Sequence, residues 1–305
     1  VSTERELRKR IRSIENIGQV TRALEAVSAS KVRKAQAKVL ATRPYARKAW
    51  EVLLHLSSQG GTLAELHPLL ETREPVCAEA ILLLTSDRGL CGAFNTNIVR
   101  KTLGFIRVSD RPVTLVTAGR KGRDLMCRTG QKIEADFSIP DDPSILDVTP
   151  IARSVIDDFI GGRVDVVYLA YMNFVNTLIQ RPVVKRLLPL TPSRTEDQAM
   201  AEYIEDGPKI GGKQLEYVYE PNPAAILDEV LPRFTELQVY QAALESQASE
   251  HSARMVAMRN ATENAGALVE ELTLARNKAR QASITSELLD IAGGAEALAQ
   301  AMAGA

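Results

Sequence analysis

The chain has 305 residues, enough for one or two buried cores, and its 38 Lys/Arg are matched by 38 Asp/Glu. It contains no uncharged span of about 20 residues and no signal-peptide pattern, so it is not expected to cross a bilayer. Three widely spaced cysteines, Cys77, Cys91 and Cys127, point to a reduced intracellular chain rather than a disulfide scaffold.

The formal neutrality conceals an uneven distribution. Through Ser57, thirteen Lys/Arg oppose five Asp/Glu, a net +8; from Pro221 onward, six oppose eleven, a net −5. Opposite fields at the two ends favour their association, with ordinary solvated helix faces as the equal alternative.

The first element is a helix-compatible stretch from Ser2 to Leu56 in which proline occurs once, at Pro44. Leu7, Ile11, Ile14, Ile17, Val20, Leu24 and Val27 recur at mostly three- and four-residue intervals and predict an apolar helical stripe. Its phase weakens around Ala29–Ala37, where small residues permit close packing.

A buried strand is expected over Ala78–Ser86, around Ala80-Ile81-Leu82-Leu83-Leu84, leading into a loop at Ser86–Asn95. A helix over Asn95–Ile106 follows, then a strand at Pro112–Thr117 and a helix start at Arg120–Met126. Further on come a helix at Ile151–Ile160, a β-branched strand at Val164–Ala170 and a strand or sheet edge at Gln180–Leu190. This alternation implies an α/β domain of two or three layers with at least partly parallel strands. The cluster Val183–Leu188 is alternatively a surface interface. Polar, proline-containing sequence from Thr191 to Gly212 reads as an excursion, with a short strand at Gln214–Tyr219.

The last stretch runs from Pro223 to Leu298, with proline inside it at Pro232. Leu227, Leu231, Phe234, Leu237 and Leu244 open its apolar face; Met255, Met258, Leu268, Leu272, Leu288, Ile291 and Leu298 continue it. Ala242–Ala243 leave a thin place in that face, and Gly293–Gly294 is expected to loosen the tip. At about 1.5 Å per residue the two terminal stretches span roughly 80 and 110 Å, which favours a coiled coil or rod, and helices so far apart in sequence can form an intrachain antiparallel pair.

No catalytic constellation emerges. Ser86–Asn95 contains Gly89 and Gly92 but has neither GxGxxG nor GxxxxGK[ST] spacing, so a strand-to-helix connection outweighs a nucleotide loop. Gly119-Arg120-Lys121-Gly122-Arg123 is a cationic turn that suits either solvent or an acidic partner. His55, His67 and His251 form no metal motif, and Asp141-Asp142 between Pro140 and Pro143 reads first as turn chemistry and then as a cation site. No catalytic, cofactor-binding or metal residue is assigned.

Three separated runs resemble the gamma subunit of F-type ATP synthase: Ile11-Arg12-Ser13-Ile14 through Ala29-Ser30-Lys31, then Asp87-Arg88-Gly89-Leu90-Cys91-Gly92-Ala93-Phe94-Asn95, then Asn277-Lys278-Ala279-Arg280-Gln281 through Gly293-Gly294-Ala295. The resemblance extends from near residue 3 to residue 298. Leu24 stands where several members carry Met, and the cysteine-containing insertion of the chloroplast branch is missing, which suits a bacterial type without thiol control.

The resemblance implies a fold: a long antiparallel coiled coil of N- and C-terminal helices plus a central Rossmann-like domain. Four parts follow, residues 1–57 as the first helix, 76–190 as the foot, 191–220 as a connection and 221–305 as the last helix. It also implies a role as the central rotating stalk that couples proton flow, through the c-ring, to ATP synthesis. One such subunit stands inside an alpha-three beta-three hexamer and joins epsilon and the c-ring, peripheral to the cytoplasmic face of a bacterial membrane. It binds no cofactor directly, because ATP, ADP and Mg belong to the alpha and beta subunits, and it has no active site of its own. Arg280, Gln281 and Thr285 are the implied beta-subunit contacts. Arg8, Arg12, Arg22, Lys31, Arg33 and Lys34 are the implied electrostatic contacts along the first helix.

Against this stand a non-catalytic coiled-coil scaffold outside the ATPase and an α/β enzyme with a helical handle. A nucleic-acid module is the third alternative, since the amino-terminal segment is basic; it predicts salt-sensitive binding by the chain alone.

Overall fold

A computed structural model describes residues 3–58, 67–190 and 223–303. The excursion at Pro192–Gly212, the strand at Gln214–Tyr219 and the side chains of His55 and Leu298 lie outside the described residues. The chain divides into two compact units. One combines residues up to Val27 with those from Met255 onward; the other runs from Ser28 to Arg254.

Helix α1 spans Glu4–Ser58 and continues through Pro44, and helix α5 spans Pro223–Ala303 and continues through Pro232 and Gly293–Gly294. The glycine pair therefore does not end the helix. Thr3 opens α1 with a reciprocal cap: the Glu6 N–H donates to Thr3 Oγ1 and the Thr3 N–H to Glu6 Oε2, at 3.4 and 3.2 Å.

In the first unit α1 and α5 run antiparallel. Gly18 faces Ala265, Thr21 bonds Thr262 at 2.7 Å, and the Arg259 side chain reaches Glu25 at 3.0 Å. Each step up one helix is thus matched by a step down the other.

The shielded stripe of α1 agrees with the expected one through Leu7, Ile11 and Ile14 and then departs from it. It comprises Leu7, Ile11, Ile14, Gly18, Thr21 and Glu25, and in the second unit Ser28, Val32, Ala35 and Val39. Its intervals alternate between four and three, the period of helices that stay in contact along their length. Ile17, Val20 and Val27 lie one residue before this seam and are 54, 59 and 53% exposed. The phase holds through Ala29–Ala37. Small side chains occupy the seam at Gly18, Thr21 and Ser28, so the largest apolar residues of this stretch do not mark it.

The second unit holds β1 (Glu79–Leu84), α2 (Phe94–Val108), β2 (Val113–Ala118), α3 (Arg120–Arg128), β3 (Ile133–Phe137), α4 (Ile145–Ile160), β4 (Val166–Phe174) and β5 (Gln180–Leu188). A 3-10 turn at Pro68–Leu70 precedes them. The sheet order is β3-β2-β1-β4-β5; all neighbours are parallel except the β4–β5 hairpin. Strand β3 escapes a hydrophobicity reading because Glu134 and Asp136 alternate with its apolar residues at the sheet edge.

Central β1 is buried along its whole length because helices cover both faces. Ala80, Leu82 and Leu84 point to α4 and to the Leu227–Ala243 part of α5, whereas Ile81 and Leu83 point to α2 and α3. The result is a three-layer sandwich. Ala242 and Ala243 belong to its core, where a larger side chain would hold the helix off the sheet. Helix α4 starts six residues before the expected Ile151, because Ser144 and Asp147 form a capping box and the helix passes through Pro150. The Val183–Leu188 cluster is internal structure: it pairs with β4, and Leu187 and Leu188 are buried.

Candidate functional surface

The carboxyl ends of parallel strands are where open α/β sheets bind ligands. A cavity of about 210 Å³ lies there, lined by Thr85–Arg88, Arg120, Ser138 and Glu250 among others. A phosphate in such a place is held by free N–H groups at a helix start. Here the first three amides of α3 are already taken. Those of Arg120, Lys121 and Gly122 donate to Asp87 Oδ1, Ser86 O and Thr85 Oγ1 at 2.8, 3.0 and 2.9 Å. The Asp87 carboxylate stands where an anion would sit, and it also accepts from the Ser138 hydroxyl at 2.7 Å.

The glycines of this turn serve the same closure. A Cβ at Gly119, whose φ is +116°, would stand 2.3 Å from Thr85 O, and one at Gly122 would stand 2.5 Å from Thr85 Oγ1. The turn is shaped by the close approach of the β1 loop.

The Ser86–Asn95 loop is also an internal brace. The Ser86 N–H donates to Asn95 Oδ1 at 3.1 Å, its hydroxyl donates to Arg88 O at 2.7 Å, and the Asn95 amide donates to Ser86 Oγ at 2.7 Å. Leu90 and Gly92 turn the chain at φ +63° and +56°. Cys91 is buried, and burial pushes its thiol up, which disfavours the thiolate a nucleophile needs.

Asp141 and Asp142 face lysines: Lys31 Nζ meets Asp141 at 2.7 Å and Lys38 Nζ meets Asp142 at 2.5 Å. The Lys31 hydrogen bond holds the Asp141 carboxyl below its usual range. Among the described residues no group of His, Cys, Asp and Glu is arranged to hold a metal. His67 is buried, with Nδ1 accepting from the Leu69 N–H at 3.0 Å. His251 is 2% exposed; its Nδ1 accepts from Arg254, and burial first, then Arg254, lowers its pKa to about 4.

The end of α5 is an uncovered surface. Every residue from Arg280 to Ala295 is exposed, including Ile284, Leu288, Leu289 and Ile291. The expected stripe had Leu288 and Ile291 buried; they are 61 and 70% exposed, and Leu268 is exposed too. At about 100° per residue, Arg280, Gln281, Ile284, Thr285, Leu288 and Ile291 share one arc of roughly 140°. Thus the three sequence-assigned contacts at Arg280, Gln281 and Thr285 stand together, and apolar residues of the same arc join them. The Thr285 hydroxyl donates to Gln281 O at 2.9 Å.

The assigned cations of α1 separate into two groups. Arg8, Arg12, Arg22, Arg33 and Lys34 are exposed and make no ion pair among the described residues. Lys31 is half-buried and engaged by Asp141 within the chain. The Lys38–Asp142 pair had no sequence signal beyond charge and proximity of prolines.

A family model described as ATP synthase matches residues 3–298. The ATP synthase gamma chain of Dehalococcoides mccartyi strain CBDB1 is 51% identical over 294 residues, covering 96% of this chain and 98% of the relative. That of Chloroflexus aurantiacus strain J-10-fl is 46% identical over 301 residues, covering 97% and 99%. Among solved structures, the Euglena gracilis mitochondrial ATP synthase in its OSCP/F1/c-ring form, rotational state 3, is similar in fold. Its TM-score is 0.65 at 22% identity, with 97% of this chain and 94% of that chain covered. The rotor of the same synthase in rotational state 1 gives a TM-score of 0.62 at 21% identity, covering 92% and 98%. Matched along almost its whole length by family and relatives alike, the chain belongs to the ATP synthase gamma chain family.

Proposed function

We propose that this chain is the central rotating stalk of an F1Fo ATP synthase, coupling proton flow through the c-ring to ATP synthesis at sites in the alpha and beta subunits. Beside the family match, the observation that carries this reading is the bare end of α5. A helix that exposes Ile284, Leu288, Leu289 and Ile291 together needs a cover, and a ring of partner subunits supplies one. An asymmetric axle presents a different surface to each catalytic unit and biases closure by differential contact.

In this role Arg280, Gln281 and Thr285 meet a beta subunit, while Arg8, Arg12, Arg22, Arg33 and Lys34 contribute electrostatic contacts along α1. The sheet domain joins epsilon and the c-ring, with one gamma chain per alpha-three beta-three hexamer. Nucleotide and Mg sit in the partners. The occupied amides at the start of α3 support the absence of a nucleotide site here. No helix is long and apolar enough to cross a membrane among the described residues, which suits a peripheral place on the cytoplasmic face.

Leu288→Asp with Ile291→Asp tests the reading in the assembled complex. Placing two carboxylates against an apolar cover is expected to lower ATP-driven proton pumping about ten-fold or more, with nucleotide binding by the hexamer retained. Unchanged pumping would refute it.

A further inference from the structure

The two long helices are attached to the sheet domain by different means. Helix α5 is built into the core through Leu227, Leu231, Phe234, Leu237, Ala242 and Ala243. Helix α1 contributes no side chain to either hydrophobic cluster among the described residues. It packs along α5, with Val32, Ala35 and Val39 buried and the Gln241 side-chain amide donating to Thr42 Oγ1 at 3.1 Å, and it meets the sheet domain at the Pro140–Pro143 loop between β3 and α4.

That loop is gripped from both sides. From α5, Gln247 Nε2 donates to Pro140 O at 2.6 Å and the Tyr240 hydroxyl donates to Pro143 O at 3.3 Å. From α1, Lys31 holds Asp141 at 2.7 Å, and Lys38 holds Asp142 at 2.5 Å and Pro143 O at 3.2 Å. Lys31 and Lys38 are two helical turns apart and therefore share a face. Their aspartates are consecutive, and the flanking prolines fix φ on either side. One short stiff loop thus bridges both helices at two heights.

We propose that Lys31 and Lys38, through Asp141 and Asp142, are positioning residues that keep the first helix in rotational register with the sheet domain. Twist entering the domain then passes into α1 directly as well as through its packing on α5. This rests on the central-stalk reading and deepens it, because it names where the rotor grips its second helix.

The test uses the complete F1Fo complex in proteoliposomes, reading ATP hydrolysis and ATP-driven proton pumping together. Lys31→Glu with Lys38→Glu places like charges against both aspartates and is expected to lower protons pumped per ATP by roughly two- to five-fold, as befits two partly exposed pairs. Hydrolysis by the hexamer continues. Adding Asp141→Lys and Asp142→Lys to that variant restores the ratio, which a role in folding alone would not predict. A second variant keeps the proposal testable if charge reversal blocks assembly. Lys38→Cys with Asp142→Cys, made with Cys77→Ser and Cys127→Ser, loses coupling until a short bis-maleimide joins the two thiols. Coupling that is unaltered in the reversed pair, or in the Cys pair before cross-linking, overturns the proposal. Failure of the wild-type complex to couple at all would instead refute the central-stalk reading.

Discussion

Gly18 offers a sharp test of how closely the helices of the first unit pack. A glycine inside a helix costs about 0.5–1 kcal/mol relative to alanine, so Gly18→Ala gains that amount unless the new methyl collides. A Cβ built at Gly18 lies 3.6 Å from Ala265 Cβ, an ordinary contact distance, so it fills space without displacing the partner. Burying one methyl adds up to about 0.8 kcal/mol, and about half that at this half-shielded site. The two effects share a sign, and the variant should be more stable by roughly 1–1.5 kcal/mol. Native-state hydrogen exchange of backbone amides around residues 15–25 in the full chain reads this locally, and protection should rise about five- to ten-fold. Reduced protection in the alanine variant would mean that the helices approach more closely than described, and the seam argument would fail.

The opposite sign is expected at Gly119. Gly119→Ala combines a φ of +116° with a Cβ 2.3 Å from Thr85 O, so a loss of at least about 2–4 kcal/mol should appear as a lower urea midpoint. An unchanged midpoint would show that the turn relaxes freely. For His251, a folded pKa of about 4 lies below the unfolded value near 6.5. Its stabilisation is complete above about pH 6.5 and is lost as pH falls towards 4, up to roughly 3 kcal/mol. Unfolding free energies of the wild type minus those of His251→Gln should trace that slope. Glu250, pushed up by burial, has the opposite pH dependence but is present in both proteins. A flat difference between pH 6.5 and 4 would refute the assignment.

What was legible in the sequence depended on how strongly each segment was buried. Ala80–Leu84 is apolar throughout because β1 is covered on both faces, and Val166–Ala170 carries the same signal in β4. Both were expected. β3 was not, since an edge strand with Glu134 and Asp136 lacks that pattern. The seam of α1 was misread for a related reason: Ile17, Val20 and Val27 carry the hydrophobicity, while contact runs through Gly18, Thr21 and Ser28. Periodicity reports where apolar residues recur, whereas close helix approach selects small ones. On the surface at the end of α5, resemblance supplied Arg280, Gln281 and Thr285. Leu288 and Ile291 looked like core because an apolar residue awaiting a partner and one already buried read alike.

The two attachments to the sheet domain should also differ in strength. Seven apolar side chains of α5 enter the core, four of them Leu or Phe, and full burial of one such side chain contributes about 1.5–3 kcal/mol. Even half of that total exceeds the two ion pairs of α1, partly exposed and screened by salt, at about 0.2–1 kcal/mol each. The link from α1 to the loop is therefore the weaker of the two, and salt weakens it while leaving the packing of α5 nearly untouched. A rotor built this way has α5 fixed to the sheet domain by packing, and α1 held to the domain's loop by charge beside its own packing on α5, so part of its stiffness should depend on ionic strength through Lys31 and Lys38.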